Sequence, residues 1–191
     1  MPGVPIEIEY KFPVLSVAKI RQLLVKMGAR SINTSLQVDE YLNDPIRDFS
    51  KMDLALRIRQ SDDSFFLTFK GPGQDAVAKI RREIETPLVD AAAAAQLKQT
   101  FIGIGLYSVA VVEKKRESLS IVWKGHEVEV CLDSVVEVGE FVELELIVET
   151  PSQKDAAKAV LNSLAKELGL SGAIRTSYLE LLLRKRGDIP S

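Results

Sequence analysis

Cysteine occurs once in this 191-residue chain, at Cys131. One thiol cannot close an internal disulfide, and the surrounding VEVCLDS reads as a packed strand rather than reactive chemistry. Histidine also occurs once, at His126 in the turn-like KGHE, so a His-based zinc site or a Ser-His-Asp triad would rest on a single side chain. Long apolar runs are missing: nothing approaches the roughly 20 residues that span a bilayer. The opening MPGVPIEIEYKF places acidic residues where a secretory leader carries basic ones. These absences lead to the expectation of a cytoplasmic protein with no membrane partner. Net charge is nearly absent as well, at -2 from 25 basic and 27 acidic side chains, so the positive field of a nucleic-acid binder is lacking.

With 46% hydrophobic and 27% charged residues, and neither a repeat nor a low-complexity linker, the sequence reads as one domain over 1–191. Its dominant pattern has a period of two, the mark of a strand whose faces meet different surroundings. Residues 6–12 put Glu7, Glu9 and Lys11 on one face. Residues 54–59 set Arg57 and Arg59 opposite Leu54, Leu56 and Ile58, and residues 65–70 set Thr68 and Lys70 opposite Phe65, Leu67 and Phe69. Residues 79–85 align Arg81, Glu83 and Glu85. Later, 109–116 ends with Lys114 and Arg116 together, 127–133 aligns Glu127, Glu129 and Asp133, and 141–149 aligns Glu143, Glu145 and Glu149.

Helices are expected between these strands. Ser16 opens one whose stripe is Ile20, Leu23, Leu24 and Met27, closing at Gly28. An alanine-rich helix spans 90–100, and Ser152 with Asp155 makes a capping-box-like start for a helix through Leu168, closed by Gly169. A last helix covers 177–186 and packs on or closes the sheet. Turn-rich stretches such as Asn43-Asp44-Pro45 and Gly71-Pro72-Gly73 suit antiparallel neighbours. The class is α+β, either a closed barrel or an open sheet.

Strand by strand, a polar face implies only contact with water. A solvated face usually mixes Ser, Thr, Gln and Lys, however, whereas these faces concentrate Arg and Lys on some strands and Glu pairs on others. If the strands close into a barrel with helices outside, the charged faces point inward. Each buried charge then costs several kcal/mol unless compensated. A polyanion complexed to metal compensates both signs: Lys and Arg bind phosphate oxygens, and carboxylates hold a hard divalent cation, Mg²⁺ or Mn²⁺.

The opening IEIEYK carries the ExExK signature of the CYTH superfamily, the triphosphate tunnel metalloenzymes named for class IV adenylyl cyclases and thiamine triphosphatases. The ordered series DFSKMDLALRIR, LTFKGPG, KIRREIE, VVEKKRE, VEVCLDSV, GEFVELE and SYLELL resembles successive family segments over nearly the whole chain. NDPIRDF through ALRIR and the terminal SYLELL are most similar to the CyaB branch of class IV adenylyl cyclases.

The resemblance implies an eight-stranded antiparallel β-barrel, the triphosphate tunnel, with helices packed outside. It implies Glu7, Glu9, Glu143 and Glu145 as metal ligands. It assigns Arg57, Arg59, Lys70, Arg81, Lys114 and Arg116 to the triphosphate, with Lys11 assisting near the reacting phosphates. Glu83, Glu85 and Asp133 would be supporting partners or further metal ligands. The reaction implied first is that of a cyclase, ATP to cyclic AMP and pyrophosphate; the second is hydrolysis of inorganic triphosphate or thiamine triphosphate. A non-catalytic module holding polyphosphate or nucleotide ranks third, because both carboxylate pairs are intact. The protein is expected to be a monomer or homodimer.

Glu127, Glu129 and Glu149 read as solvated or stem-packing charges, and Trp123 as a packing residue. Arg175 precedes the final helix where relatives place basic residues, but Thr176 stands where a Lys is expected.

Overall fold

The computed structural model describes residues 6–73, 79–81 and 83–190; the side chains of 79–81 lie outside the description. Nine antiparallel strands form one ladder: β1 (Ile6–Val14), β2 (Arg30–Asn43), β3 (Ala55–Ser61), β4 (Ser64–Lys70), β5 (Lys79–Arg81), β6 (Glu83–Leu88), β7 (Tyr107–Trp123), β8 (His126–Val135) and β9 (Gly139–Val148). Their spatial order is β5-β1-β9-β8-β7-β2-β3-β4-β6. β5 pairs with β1, placing Arg81 opposite Glu7, and β6 pairs with β4, placing Glu83 opposite Lys70. The two end strands of the ladder are thus separated by a single residue, and one stretch of chain borders both ends. With β5 and β6 counted as one interrupted strand, the sheet is eight-stranded and curled into a tunnel, the α+β class read from the sequence.

Residues 30–43, unassigned above, form β2, which pairs with both β3 and β7. Its inward side chains Ser35, Gln37, Asp39 and Tyr41 are buried, while the outward Leu36 is 63% exposed. Polar groups inside and an apolar one outside invert the usual pattern, because the interior of this sheet is itself charged.

Three helices cover the outside: α1 (Val17–Lys26), α2 (Ala91–Gly103) and α3 (Lys154–Glu167). Asp90 caps α2, its side chain accepting from the Ala93 N–H at 2.8 Å. The capping box ahead of α3 is built by Thr150 and Gln153, not by Ser152 and Asp155, because Pro151–Gln153 makes a short 3-10 turn first. α1 and α3 bury the outward residues of β1, β8 and β9, with Ile8, Leu24, Leu144, Leu161 and Leu164 at zero exposure. Each fully buried side chain of this size contributes ~1.5–3 kcal/mol. α2 covers Leu42, Ile58 and their neighbours on the opposite wall. Trp123 packs against the α3 side, its indole N–H donating to the Ser163 hydroxyl at 3.3 Å, as a packing residue should.

The fourth helix, α4 (Tyr178–Arg186), is placed differently. On five strands the inward-facing row changes from charged to apolar at one end: Tyr41 follows Asp39, Ala55 precedes Arg57, Val112 precedes Lys114, Val135 follows Asp133, and Phe141 precedes Glu143. Tyr178 and Leu182 of α4 pack on that ring. α4 therefore closes one end of the tunnel, and the charged rows line what remains. Among the described residues no helix is long and apolar enough to cross a membrane.

Candidate active site

The tunnel encloses a cavity of about 810 Å³. Glu7, Glu9, Lys11, Arg57, Arg59, Lys70, Glu83, Lys114, Arg116, Glu143 and Glu145 all line it. They come from six strands, and strand alternation turns each to the inner face. Arg81 pairs opposite Glu7 through its backbone, but its side chain lies outside the described residues. Two other candidates are placed elsewhere. Glu85 is exposed and accepts from the Thr68 hydroxyl at 3.1 Å. Asp133, on the inner face of β8, has no exposed surface, and it supports Lys114 and Arg116 instead of meeting the cavity.

Two buried carboxylates organise the basic part of the lumen. Asp39, 2% exposed, accepts from Arg57 Nη1 at 3.2 Å and from Arg59 Nε and Nη2 at 2.6 and 2.7 Å. Burial by itself would raise its pKa, but the two guanidinium groups outweigh burial and hold it well below the usual carboxylate range. Asp133 accepts from Lys114 Nζ at 3.2 Å, from Arg116 Nε and Nη2 at 2.7 and 2.5 Å, and from the Tyr178 hydroxyl at 2.9 Å. Here too Arg116 and Lys114 overcome burial and keep the pKa low. Glu143 pairs with Arg116 and, at 3.2 Å, with Lys11. Glu83 meets Lys70 at 2.5 Å and Arg57 at 3.7 Å.

The acidic part is arranged differently. Carboxylate oxygens of Glu7, Glu9 and Glu145 lie within 4.8 Å of one another. Burial first, then the neighbouring carboxylates, pushes Glu7 up to about 7 against the pull of Lys70. Glu145 is raised well above the ordinary value by burial and by Glu7, Glu143 and Glu9, against Arg116. The reverse holds at Lys114, pushed down to about 8 by burial and then by Arg116. Negative charge is thus in local excess at Glu7, Glu9 and Glu145, and Lys114 is a buried ammonium crowded by Arg116, whereas the Arg116 guanidinium, beside Asp133 and Glu143, is held well above its ordinary value despite burial. Three converging carboxylates form an all-oxygen donor set suited to a hard divalent cation. Glu143, expected as a fourth ligand, lines the same cavity and pairs with Arg116 and Lys11. The buried Nε atoms of Arg57 and Arg175 have no acceptor among the described residues, so each guanidinium keeps an N–H that those residues do not use.

Several features were not legible in the sequence. Asp39 and Tyr41 belong to the unassigned β2, and Arg57 also donates to the Tyr41 hydroxyl at 3.4 Å. Glu129, read as a solvated charge, lines the cavity, and with Cys131 and Glu145 forms a second close group. Glu127 lies at the mouth, exposed and bonded to the Ser120 hydroxyl at 2.6 Å. Burial pushes the Cys131 thiol far up, in keeping with packing rather than reactivity. Arg175 lines the cavity within 4.0 Å of Asp53. The signal for Asp39 was present as the alternation Gln37, Asp39, Tyr41.

A protein of Methanocaldococcus jannaschii named "Putative adenylate cyclase MJ0240" is 36% identical over 178 residues, covering 92% of this chain and 98% of that protein. The structure of the PH1819 protein from Pyrococcus horikoshii superposes with a TM-score of 0.83 at 34% identity, over 94% of this chain and 99% of that one. The Hippeastrum protein HpAC1, a "putative adenylyl cyclase" with a dominant triphosphatase activity, shares the fold at a TM-score of 0.63 and 19% identity, over 97% and 98% of the two chains. The CYTH domain model matches residues 5–178, and the chain belongs to the CYTH family.

Proposed function

We propose that this protein is a metal-dependent enzyme that binds a triphosphate compound in the tunnel and, in the manner of a class IV adenylyl cyclase, converts ATP to cyclic AMP and pyrophosphate. The observation that carries this reading is the separation of unbalanced charge within one cavity. Glu7, Glu9 and Glu145 repel one another and call for a cation, while the buried Lys114 ammonium, crowded by Arg116, and the Arg57 Nε, which has no acceptor among the described residues, call for an oxyanion. A triphosphate complexed to Mg²⁺ or Mn²⁺ answers both demands, and its groups would be held at the spacing the walls impose.

In this reading Arg57, Arg59, Lys70, Lys114 and Arg116 bind phosphate oxygens. Asp39 and Asp133 keep those cations in place without occupying the lumen. Lys11, between Glu9 and Glu143, offers its ammonium to the reacting phosphates. Glu7, Glu9 and Glu145 would hold the metal, which when bound would neutralise phosphate oxygens and make the phosphorus more electrophilic. No side chain has to attack: phosphoryl and nucleotidyl transfer gain mainly from positioning and electrostatic stabilisation. In the cyclase the ribose 3′-oxygen bonds to the α-phosphorus and pyrophosphate departs.

The second reading is hydrolysis at the terminal phosphorus of inorganic or thiamine triphosphate. It is supported by the triphosphatase activity of HpAC1, whose fold is the same. One experiment separates the two. The protein is incubated with Mg²⁺ or Mn²⁺ and, in separate reactions, ATP, inorganic triphosphate and thiamine triphosphate, and the products are identified. Cyclic AMP with pyrophosphate supports the cyclase, and orthophosphate without cyclic product rejects it. Tight binding with no turnover of any substrate rejects both and leaves a binding module.

A further inference from the structure

Lys11 lies on the first strand, yet much of its environment comes from the C-terminal segment. The Ile174 N–H donates to the Lys11 carbonyl at 2.8 Å, docking that segment onto β1. The Lys11 ammonium donates to the Thr176 carbonyl at 3.4 Å and lies 3.9 Å from the centroid of the Tyr178 ring. The Lys114 ammonium is 5.1 Å from the same centroid. The Tyr178 hydroxyl donates at 2.9 Å to Asp133, the carboxylate that also holds Lys114 and Arg116. One side chain therefore meets two lumen lysines with its ring and, with its hydroxyl, the buried carboxylate that holds Lys114.

Tyr178 is itself firmly placed. It is 7% exposed, tilted against Phe141 at 5.0 Å between ring centroids. It also opens α4, whose cap is the Ser177 hydroxyl accepting from the Glu180 N–H at 3.1 Å. Lysine has a flexible stem, and each of these ammonium groups already pairs with a carboxylate, Lys11 with Glu143 and Lys114 with Asp133, both at 3.2 Å. An aromatic face attracts the ammonium through its quadrupole without neutralising it. The ring thus helps fix the position of both ammonium groups without adding a further counter-charge.

We propose that Tyr178 is a positioning residue for triphosphate binding, its ring holding Lys11 and Lys114 at the closed end of the tunnel where both ammonium groups can meet phosphate oxygens. The inference rests on the triphosphate reading above and makes the C-terminal helix part of the binding site rather than only a plug.

The test is calorimetry on the full chain with two probes, inorganic tripolyphosphate without metal and Mn²⁺ alone. The variants are Tyr178→Met and Tyr178→Leu, both ring-less and apolar so that a packing failure in one does not end the test, and Tyr178→Phe, which keeps the ring. Loss of the ring should weaken tripolyphosphate binding by about tenfold or more, the scale of two desolvated cation–π contacts. Mn²⁺ affinity should change by less than about twofold, because Glu7, Glu9 and Glu145 lie outside the Tyr178 contacts. Tyr178→Phe should recover most of the lost tripolyphosphate affinity. Ring-less variants that bind tripolyphosphate like the wild type, a parallel loss of both ligands, or a Phe variant as weak as Met would each overturn the inference. Wild-type protein that binds no tripolyphosphate overturns the triphosphate reading and takes this inference with it.

Discussion

Replacing Asp39 by Asn tests the charge logic of the tunnel most directly. The carboxylate is 2% exposed and neutralises Arg57 and Arg59 through three hydrogen bonds of 2.6 to 3.2 Å. Asn keeps the size and one acceptor oxygen but leaves two largely buried cations without their counter-charge. Removing one partner of such a buried group costs ~3–5 kcal/mol. For a domain of this size each kcal/mol lowers the melting temperature by about 2–4 °C, so a fall of roughly 6–20 °C is expected by scanning calorimetry. Saturating tripolyphosphate supplies the missing negative charge, and its stabilising shift should be larger in Asp39→Asn than in the wild type. The pH dependence has a definite sign. The folded pKa of Asp39 is depressed, so its stabilisation is complete above the unfolded value of about 3.9 and is lost as pH falls through the folded value. The gap between wild type and variant should stay constant from about pH 8 to 5 and narrow only in stronger acid. A loss below about 3 °C, or a ligand shift no larger than that of the wild type, would refute the reasoning.

Other predictions address the remaining parts of the structure. Glu7→Gln and Glu9→Gln should each abolish metal-dependent turnover while circular dichroism stays unchanged; activity that survives removes the residue from the metal site. Glu7 has a folded pKa raised to about 7, so the stability of its protonated form is complete below the unfolded value and lost as pH rises through about 7. Without metal, the wild type should therefore gain melting temperature relative to Glu7→Gln as pH is lowered from about 8 to 5; a flat difference contradicts the shift. Cys131 should resist aromatic disulfide reagents in the native protein and react fully in denaturant, and rapid native labelling would place it at the surface. Leu161→Ala, at a fully buried site between α3 and the sheet, should cost ~2–5 kcal/mol in chemical unfolding.

The charged rows were legible wherever one strand suffices to define them. Glu7, Glu9 and Lys11 share a face because successive side chains alternate, and the same holds for Arg57 with Arg59 and for Lys114 with Arg116. The helices were legible from their apolar stripes, although the capping box ahead of α3 lies at Thr150 and Gln153, around the 3-10 turn that Pro151 opens. β2 escaped because a strand inside a charged tunnel buries Ser35, Gln37 and Asp39 while exposing Leu36, and alternation then no longer distinguishes the core side from the solvent side.

Local spacing thus settled which residues travel together on a face, since strand geometry needs no distant information. The tertiary structure decided which faces meet. In the β1–β9 register Lys11 lies opposite Glu143 and Glu9 opposite Glu145, and in the β8–β9 register Glu129 lies opposite Glu145. At one level an acid therefore lies opposite a base; at the next, acids lie opposite acids, and the cations beside them among the described residues, Lys11 at 3.9 Å from Glu9 and Arg116 at 3.7 Å from Glu145, stand farther off. Glu143 and Glu145 look equivalent along the chain, and only pairing between strands far apart in sequence separates them. The same is true of α4: its helical pattern is local, but its position at the end of the tunnel, with Tyr178 against Lys11, exists only because the barrel brings residues 11 and 178 together.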